Sequence, residues 1–323
     1  LLSLRAENFL GIGEQVQFVE VSSRHEGQRV DNFLMRELKG VPRSRVYRLI
    51  RKGEVRINKK RCKPETKLSL GDIVRIPPYT GSSVKEPGKI TTALKDYLTG
   101  NILYEDEEVL VVNKPSGLSV HGGSGIKLGL IEALRQIKPE WAEVELAHRI
   151  DRETSGCLIV AKTVVALRAL HLDFKERRVS KTYQALVYGR WPKEITRVEA
   201  KLLRKQLDSG ERLVKVDEGG KEADTAFKIL KTFKAATLIE ARPATGRTHQ
   251  IRVHCQHVGH PIVGDDRYAQ RRVADHYPQL SRAKALCLHA AKIEFALPKS
   301  GETVSLAADI GLNLQVALSL LEE

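Results

Sequence analysis

Cysteine is scarce in this chain. Cys62, Cys157, Cys255 and Cys287 are spread over 323 residues, with no C-x-x-C pair. That spacing excludes a zinc ribbon and a disulfide framework, and it fits a reducing cytoplasm. No apolar run approaches the ~18 residues that a membrane helix needs, so no membrane span is expected. The opening LLSLRAENFLGIG lacks a basic start and is interrupted by Arg5 and Glu7, so no secretory signal is expected. Several catalytic signatures are missing as well. No G-x-S-x-G elbow is present for a serine hydrolase. HGGSG, from His121, mimics an oxyanion loop without its nucleophile and reads as a glycine loop that admits a ligand or a backbone. The absence of G-x-x-x-x-G-K-[ST], and of G-x-G-x-x-G opening a helix after a strand, excludes a P-loop and a dinucleotide fold.

What the chain has is charge, concentrated at one end. Of a net +14, the stretch from Arg24 to Arg75 carries +10, with sixteen Lys and Arg against six Asp and Glu. A basic module of that density points to a polyanion such as RNA or DNA. Its pattern predicts a fold. Val30, Phe33, Leu34 and Leu38 share one helical face that ends at Gly40, and Val46, Leu49 and Ile50 mark a second helix stopped by Gly53. A strand, a turn near Asn58-Lys59-Lys60 and a return strand follow, and GDIVRIPP is a further strand. Arg43, Arg45 and Arg48 on the second helix, with Lys59 and Lys60 at the turn, form a phosphate grip that positions RNA rather than reading its bases. The expected organisation is an extension over residues 1–22, the basic module at 23–78, a linker at 79–101 holding a short helix near Thr92 to Leu98, and a catalytic domain at 102–323. Residues up to Gln17 are given no weight.

The larger domain reads as α+β. VLVVNKP, CLIVAK, SKTYQALVYG, ADTAFKIL, ATLIEARP and LCLHAAKIEFALP are strand-like. Leu130 to Ile137, TVVALRALHLDFKERRV, GRTHQIRVHCQHVG and DIGLNLQVALSLLEE read as helices. Hairpin-like spacing with segregated helices favours a mixed, mainly antiparallel sheet.

Two clusters bear on chemistry. THQIRVHCQHVGH carries His249, His254, His257 and His260. At about 100° per residue, His249 and His254 lie roughly 140° apart around a helix. His254 and His257 could share a face, but no H-E-x-x-H and no carboxylate completes a site, so structural histidines are expected. The second cluster is AHRIDRETSG. If HRID is extended, Arg149 and Asp151 point to the same side, and TSG then turns the chain. A carboxylate at such a junction serves as nucleophile or base, or simply as an ion-pair partner. A glycosidase would need a second, independent carboxylate, and Glu153 is too close in sequence to be one. Spacing leaves the ion pair and the reactive group both open.

Other residues extend the picture. HRIDRETSG resembles the H-R-L-D-R-x-T-S-G signature of the RluA family of RNA pseudouridine synthases, with Ile150 in the usual leucine position. NKPSGLSVHGG, KTYQALVYG, TGRTHQIRVH and LCLHAA fit the same family, in its order. The basic segment resembles the small RNA-binding domain first named for ribosomal protein S-four, through its R-x-D-x-x-L, S-R-x-x-x-x-x-I-x-x-G, V-x-I-N and G-D-x-V elements, with Asp31 expected to be structural. The resemblance implies isomerisation of uridine to pseudouridine without metal or organic cofactor. The implied substrate is ribosomal RNA, of the large subunit or its assembly intermediates, and a monomer is the default. It also implies roles. Asp151 is the essential carboxylate, Tyr183 packs on the uracil and helps remove the proton from its carbon five, and Arg247 pairs with Asp151. Arg149 fills the place of the flipped base, and Leu288 walls the base pocket. His121, His249 and His289 serve as supporting groups or phosphate contacts. The competing readings are a non-catalytic RNA-binding or ribosome-assembly factor and, more weakly, a nucleoside hydrolase or nuclease.

Overall fold

The computed structural model describes residues 12–13, 15–38, 41–80, 88–122, 126–206, 212–269, 273, 275–280 and 282–322. Gly40 and the Gly123–Gly125 part of the glycine loop lie outside them. The chain divides into two compact units, Leu1–Glu86 and Pro87–Glu323.

In the first unit the order is β1 (Ile12–Gly13), β2 (Gln17–Glu20), α1 (Val30–Glu37), α2 (Arg43–Lys52), β3 (Arg56–Ile57), β4 (Lys60–Arg61), β5 (Ile73–Ile76) and β6 (Tyr79–Thr80). Val30, Phe33, Leu34 and Leu38 are buried together with Val46, Leu49 and Ile50, as their helical spacing requires. Gly53 ends α2 in the left-handed region, φ 72°, and its N–H closes the last turn. The β3–β4 turn places Asn58 and Lys59 at φ 49° and 68°, as a tight hairpin demands. Asn58 holds that turn by donating to Asp72 Oδ1 at 2.7 Å and accepting from Ile73 N–H at 2.8 Å. The sheet runs β2-β5-β3-β4. Strand β2 is an addition to the sequence reading, because four alternating residues are too short a signal without their partner β5.

In the second unit come α3 (Thr92–Gly100), β7 (Ile102–Glu105), β8 (Val109–Lys114), α4 (Leu130–Leu134), β9 (Glu145–Leu146), β10 (Ser155–Ala161), α5 (Val164–Lys175), β11 (Ser180–Tyr188), β12 (Arg197–Glu199), β13 (Leu202–Gln206), β14 (Arg212–Val216), β15 (Asp224–Thr232), β16 (Ala236–Pro243), α6 (Gln250–His257), β17 (Leu288–Ala296), β18 (Thr303–Ala307) and a C-terminal helix, Leu312–Ser319. The main sheet runs β12-β15-β16-β11-β17-β10-β8-β7, with β18 on β17 and β9 on β10. Every pair is antiparallel except β10 with β17. Strands β8 and β10 are buried along their whole length, which is why they read as continuous apolar runs. At the parallel junction Gly156, φ 107°, lies against Ala290; a Cβ there would fall 2.3 Å from the Ala290 carbonyl oxygen. Only glycine lets the two strands approach so closely. Helix α3 buries Leu98 in the core beside β8, so this part of the expected linker packs as a piece of the second unit.

Two local readings need correction. HRID is not a strand. It lies in the loop between β9 and β10, and the turn is at Asp151–Thr154, where Thr154 N–H donates to the Asp151 carbonyl at 3.2 Å. Ser155 and Gly156 already belong to β10. The helix expected from GRTHQIRVHCQHVG begins only at Gln250, after a loop.

Candidate active site

The Asp151 loop is held by the segment Lys114–Gly117, far upstream in the chain. Lys114, fully buried at the end of β8, donates to the carbonyls of Pro115, Leu118 and Arg152 at 2.8, 2.8 and 3.0 Å. Ser116 Oγ donates to the Glu153 carbonyl at 2.6 Å. Gly117 N–H donates to the Arg152 carbonyl at 2.9 Å, and Arg152 Nε returns a bond to the Gly117 carbonyl at 3.0 Å. NKPSG is thus a clasp on the turn that carries Asp151. Burial pulls the Lys114 ammonium down to about 7, against the opposing pull of Glu153 and Asp151.

Asp151 projects into a cleft of about 570 Å³ whose walls come from its own loop, the end of α5, β11, the loop after β16, α6 and Leu288. Among the described residues that line it, Asp151 is the one carboxylate, while Arg149, Lys175, Arg177, Lys181, Arg247 and Arg252 supply cations. Such a cleft suits an anionic strand. Lys181 and Tyr183 share the inward face of β11, two residues apart. Burial, and then the Asp151 charge, push the Tyr183 hydroxyl above its ordinary range, which keeps it a neutral phenol.

The cation that meets Asp151 is Arg252. Its Nη1 lies 3.6 Å from Asp151 Oδ2, and His249 Nε2 lies 3.9 Å from Oδ1. Arg252 is 4% exposed and is locked from behind by Asp265, which accepts from its Nε and Nη2 at 2.8 and 2.7 Å. Asp265 also accepts the backbone N–H groups of Arg267 and Tyr268, at 3.1 and 3.0 Å. Burial alone would lower the Arg252 guanidinium; the Asp265 bonds, together with the charges of Asp265 and Asp151, outweigh it and hold the group above its usual value. A two-pronged guanidinium with both prongs fixed has little freedom left, so its third nitrogen is aimed at Asp151.

Arg247, expected to be that partner, is not. Its Nε donates to the Glu222 carbonyl at 3.1 Å, and it stands exposed at the mouth of the cleft. The cause is the late helix start. Gln250 accepts from Thr245 Oγ1 and Arg247 N–H at 2.6 and 3.0 Å, and donates to the Asp224 carbonyl and Thr225 Oγ1, both at 2.9 Å. That knot keeps residues 245–249 as a loop, and Arg252 takes the inward position on the first turn of α6.

The remaining sequence candidates divide. Arg149 is exposed, lines the cleft, and makes no ion pair among the described residues. Leu288 is buried at the start of β17 and lines the cleft. His121 is not in the lining; it is exposed, 2.9 Å from the Gly122 carbonyl, and its loop is tied to α4 by Glu132, which accepts from Gly122 and Gly129 N–H at 2.9 and 3.0 Å. His289 is buried 2.9 Å from Ser155 Oγ, away from the lining. Among the described residues no group of three or more His, Cys, Asp and Glu could hold a metal ion, and no helix is long and apolar enough to cross a membrane.

In the first unit Arg43, Arg45, Arg48, Lys59 and Lys60 are all exposed. Arg48 lines a concavity of about 640 Å³ together with Arg51, also on the basic second helix, and with Arg61 and Lys63, two cations that the sequence reading did not single out. Asp31 is buried, accepting from Arg29 at 2.8 Å and from the Tyr47 hydroxyl at 2.8 Å. The Arg29 bonds lead in holding its carboxyl below the ordinary value. These contacts are structural.

Known proteins are similar to this chain in sequence and in fold. The sequence matches the RNA pseudouridylate synthase family over residues 108–257 and the S4 domain over 28–74. It is 49% identical to the ribosomal large subunit pseudouridine synthase C of Pasteurella multocida, over 97% of this chain and 96% of the relative. The chain belongs to the RNA pseudouridylate synthase family. The enzyme of the same name from Vibrio parahaemolyticus is 50% identical over 95% of this chain and 97% of its own. Among solved structures, human RNA pseudouridylate synthase domain containing 4 superposes with a TM-score of 0.59 at 25% identity, covering 71% of this chain and 96% of that one. Within a pseudouridylate synthase, both Asp151 and the arginine against it fall inside the family match, whereas Asp265 and Tyr268, which lock that arginine, lie beyond it. Sequence reading passed over both. The one signal that could have found them is the run GDDRYA, an acid and a tyrosine after a glycine turn.

Proposed function

We propose that this protein isomerises uridines to pseudouridine in large-subunit ribosomal RNA, with Asp151 as the essential carboxylate. The observation that carries the reading is Asp151, the one carboxylate among the described lining residues, braced by a buried arginine in a cleft that also carries five other Lys and Arg side chains. A binding protein for RNA has no use for that carboxylate. The names of the relatives support the choice of substrate.

The reaction breaks the bond between ribose C1′ and uracil N1, turns the base, and joins C1′ to C5, whose proton moves to N1 through the site or solvent. Atoms balance without a co-reactant. Asp151 attacks or abstracts at the nucleotide, and Arg252 holds it in place. Leu288 and Tyr183 enclose the detached uracil while it turns, since a closed pocket keeps the base from leaving. Tyr183, held as a neutral phenol, is assigned the packing role rather than that of the base at C5. Extruding the uridine costs a few kcal/mol of unstacking. Arg149 at the mouth occupies the vacated place, and Lys175, Arg177, Lys181 and Arg247 receive phosphates. The basic residues of the first unit hold RNA through its backbone.

RNA carrying tritium at uracil C5 tests this. Wild-type protein is expected to release tritium, and Asp151→Asn to release none while binding RNA with near-normal affinity. No release by wild type from ribosomal transcripts and assembly intermediates would overturn the proposal in favour of a non-catalytic assembly factor.

A further inference from the structure

Asp151 has a second neighbour, His249, and the environment of that ring determines which of its nitrogens carries a proton. Tyr268 is 3% exposed and touches both groups that flank Asp151. The Arg252 guanidinium lies 5.0 Å from its ring centroid, and the His249 ring meets it edge-on at 5.5 Å. Its hydroxyl has two partners. Val214 N–H, on β14, lies 3.2 Å away, and His249 Nδ1 lies 2.7 Å away. A backbone N–H can only donate, so the phenol oxygen accepts there. The phenol has one proton of its own, and among the described residues His249 Nδ1 is the acceptor within reach of it. For the buried phenol proton to have an acceptor, the Nδ1 lone pair takes it, and a neutral His249 then carries its own proton on Nε2, which faces Asp151 Oδ1 at 3.9 Å.

We propose that Tyr268 is a positioning residue that fixes His249 in the Nε2–H tautomer, so that a hydrogen-bond donor rather than a lone pair is presented to Asp151. The inference rests on the assignment of Asp151 to the reaction. Two further features support it. His249 stands at φ 54°, in the left-handed region that a β-carbon disfavours, and such strain persists where the surroundings over-determine a residue. Burial, opposed by Asp151, lowers the imidazole below its ordinary range, and burial raises the Tyr268 phenol, so both are neutral near pH 7. In this setting the donor can tighten onto Asp151 when substrate expels water from the cleft.

Nitrogen-15 NMR of the histidines, recorded on the full chain without RNA, reads the tautomer directly. Wild type is expected to show His249 Nδ1 at a pyridine-type shift and Nε2 at a pyrrole-type shift. Tyr268→Phe keeps the ring but loses the hydroxyl, and should move both shifts toward a mixture. Its kcat for tritium release should fall by about 10-fold with KM unchanged, the scale of one lost hydrogen bond. His249→Gln places an amide donor near the Nε2 position with no tautomer to fix, so Tyr268→Phe should add nothing to kcat in that background. A pyrrole-type Nδ1 in wild type, unchanged shifts in Tyr268→Phe, or kcat losses that multiply in the double variant would each overturn the proposal. The NMR result stands even if no tritium is released, so failure of this inference and failure of the proposed activity are separable.

Discussion

Arg252 and Arg247 are five residues apart and chemically identical, yet they have opposite surroundings. One is buried, forked onto Asp265 and facing Asp151; the other is exposed and bonded to a carbonyl. Substitution should separate them. Arg252→Lys loses the fork and leaves Asp265 with a poorer partner, so kcat for tritium release should fall by roughly 10²–10³-fold. Arg247→Lys keeps a mobile cation at the mouth, and its effect should fall on KM. Equal effects of the two on kcat would contradict the assignment. That Asp151, Tyr183 and Leu288 belong to one site was readable because each sits in a recognisable run of neighbours, and all three line the cleft. The choice between two arginines was not, because it depends on where a helix begins, and helix ends are the least legible feature of a sequence.

Helix α6 shows the same limit along a whole element. Its first turn serves the site and its inner face serves the core, with Ile251, Val253, His254 and Cys255 all buried. Among the described residues neither ring nitrogen of His254 makes a well-formed hydrogen bond, and burial, opposed only weakly by the Ala200 backbone, pulls the imidazole down to about 4 from an ordinary 6.5. His254 is thus a structural histidine, as its sequence context suggested, but a poorly paired one. The sign of its pH effect follows. Between about 6.5 and about 4 the unfolded chain takes up a proton that the folded chain refuses. Stability from this residue is therefore full above 6.5 and is lost as pH falls through that window, at about 1.4 kcal/mol per pH unit. His254→Leu should stabilise the protein by about 1 kcal/mol at pH 7, by removing a poorly paired buried polar group. It should also flatten the acid limb. Urea unfolding at pH 5 and pH 7 measures both; an unchanged slope would show that another group governs the acid response.

On the scale of the whole molecule, charge and chemistry are divided between two units. The first unit carries most of the net positive charge on exposed helix and hairpin positions, and the second carries the cleft. Replacing Arg43, Arg45, Arg48, Lys59 and Lys60 by Gln should raise KM and reduce the salt dependence of RNA affinity. The slope of log K against log salt should fall by roughly 0.7–0.9 for each phosphate that is no longer neutralised. Filter binding across a salt series checks this, and an unchanged slope would remove the grip from these residues. Sequence alone determined what depends on local pattern. Helical and strand periodicity, the glycine stop at Gly53, the density of charge and the motif runs all follow from near neighbours along the chain. Tertiary structure decided whatever depends on residues far apart. It joined NKPSG to the Asp151 turn, set Arg252 rather than Arg247 against the carboxylate, and brought Val214, Tyr268 and His249 into one chain of hydrogen bonds. Those contacts need strands to cross and a loop to knot at Gln250, and no spacing rule along one chain encodes where two distant segments meet.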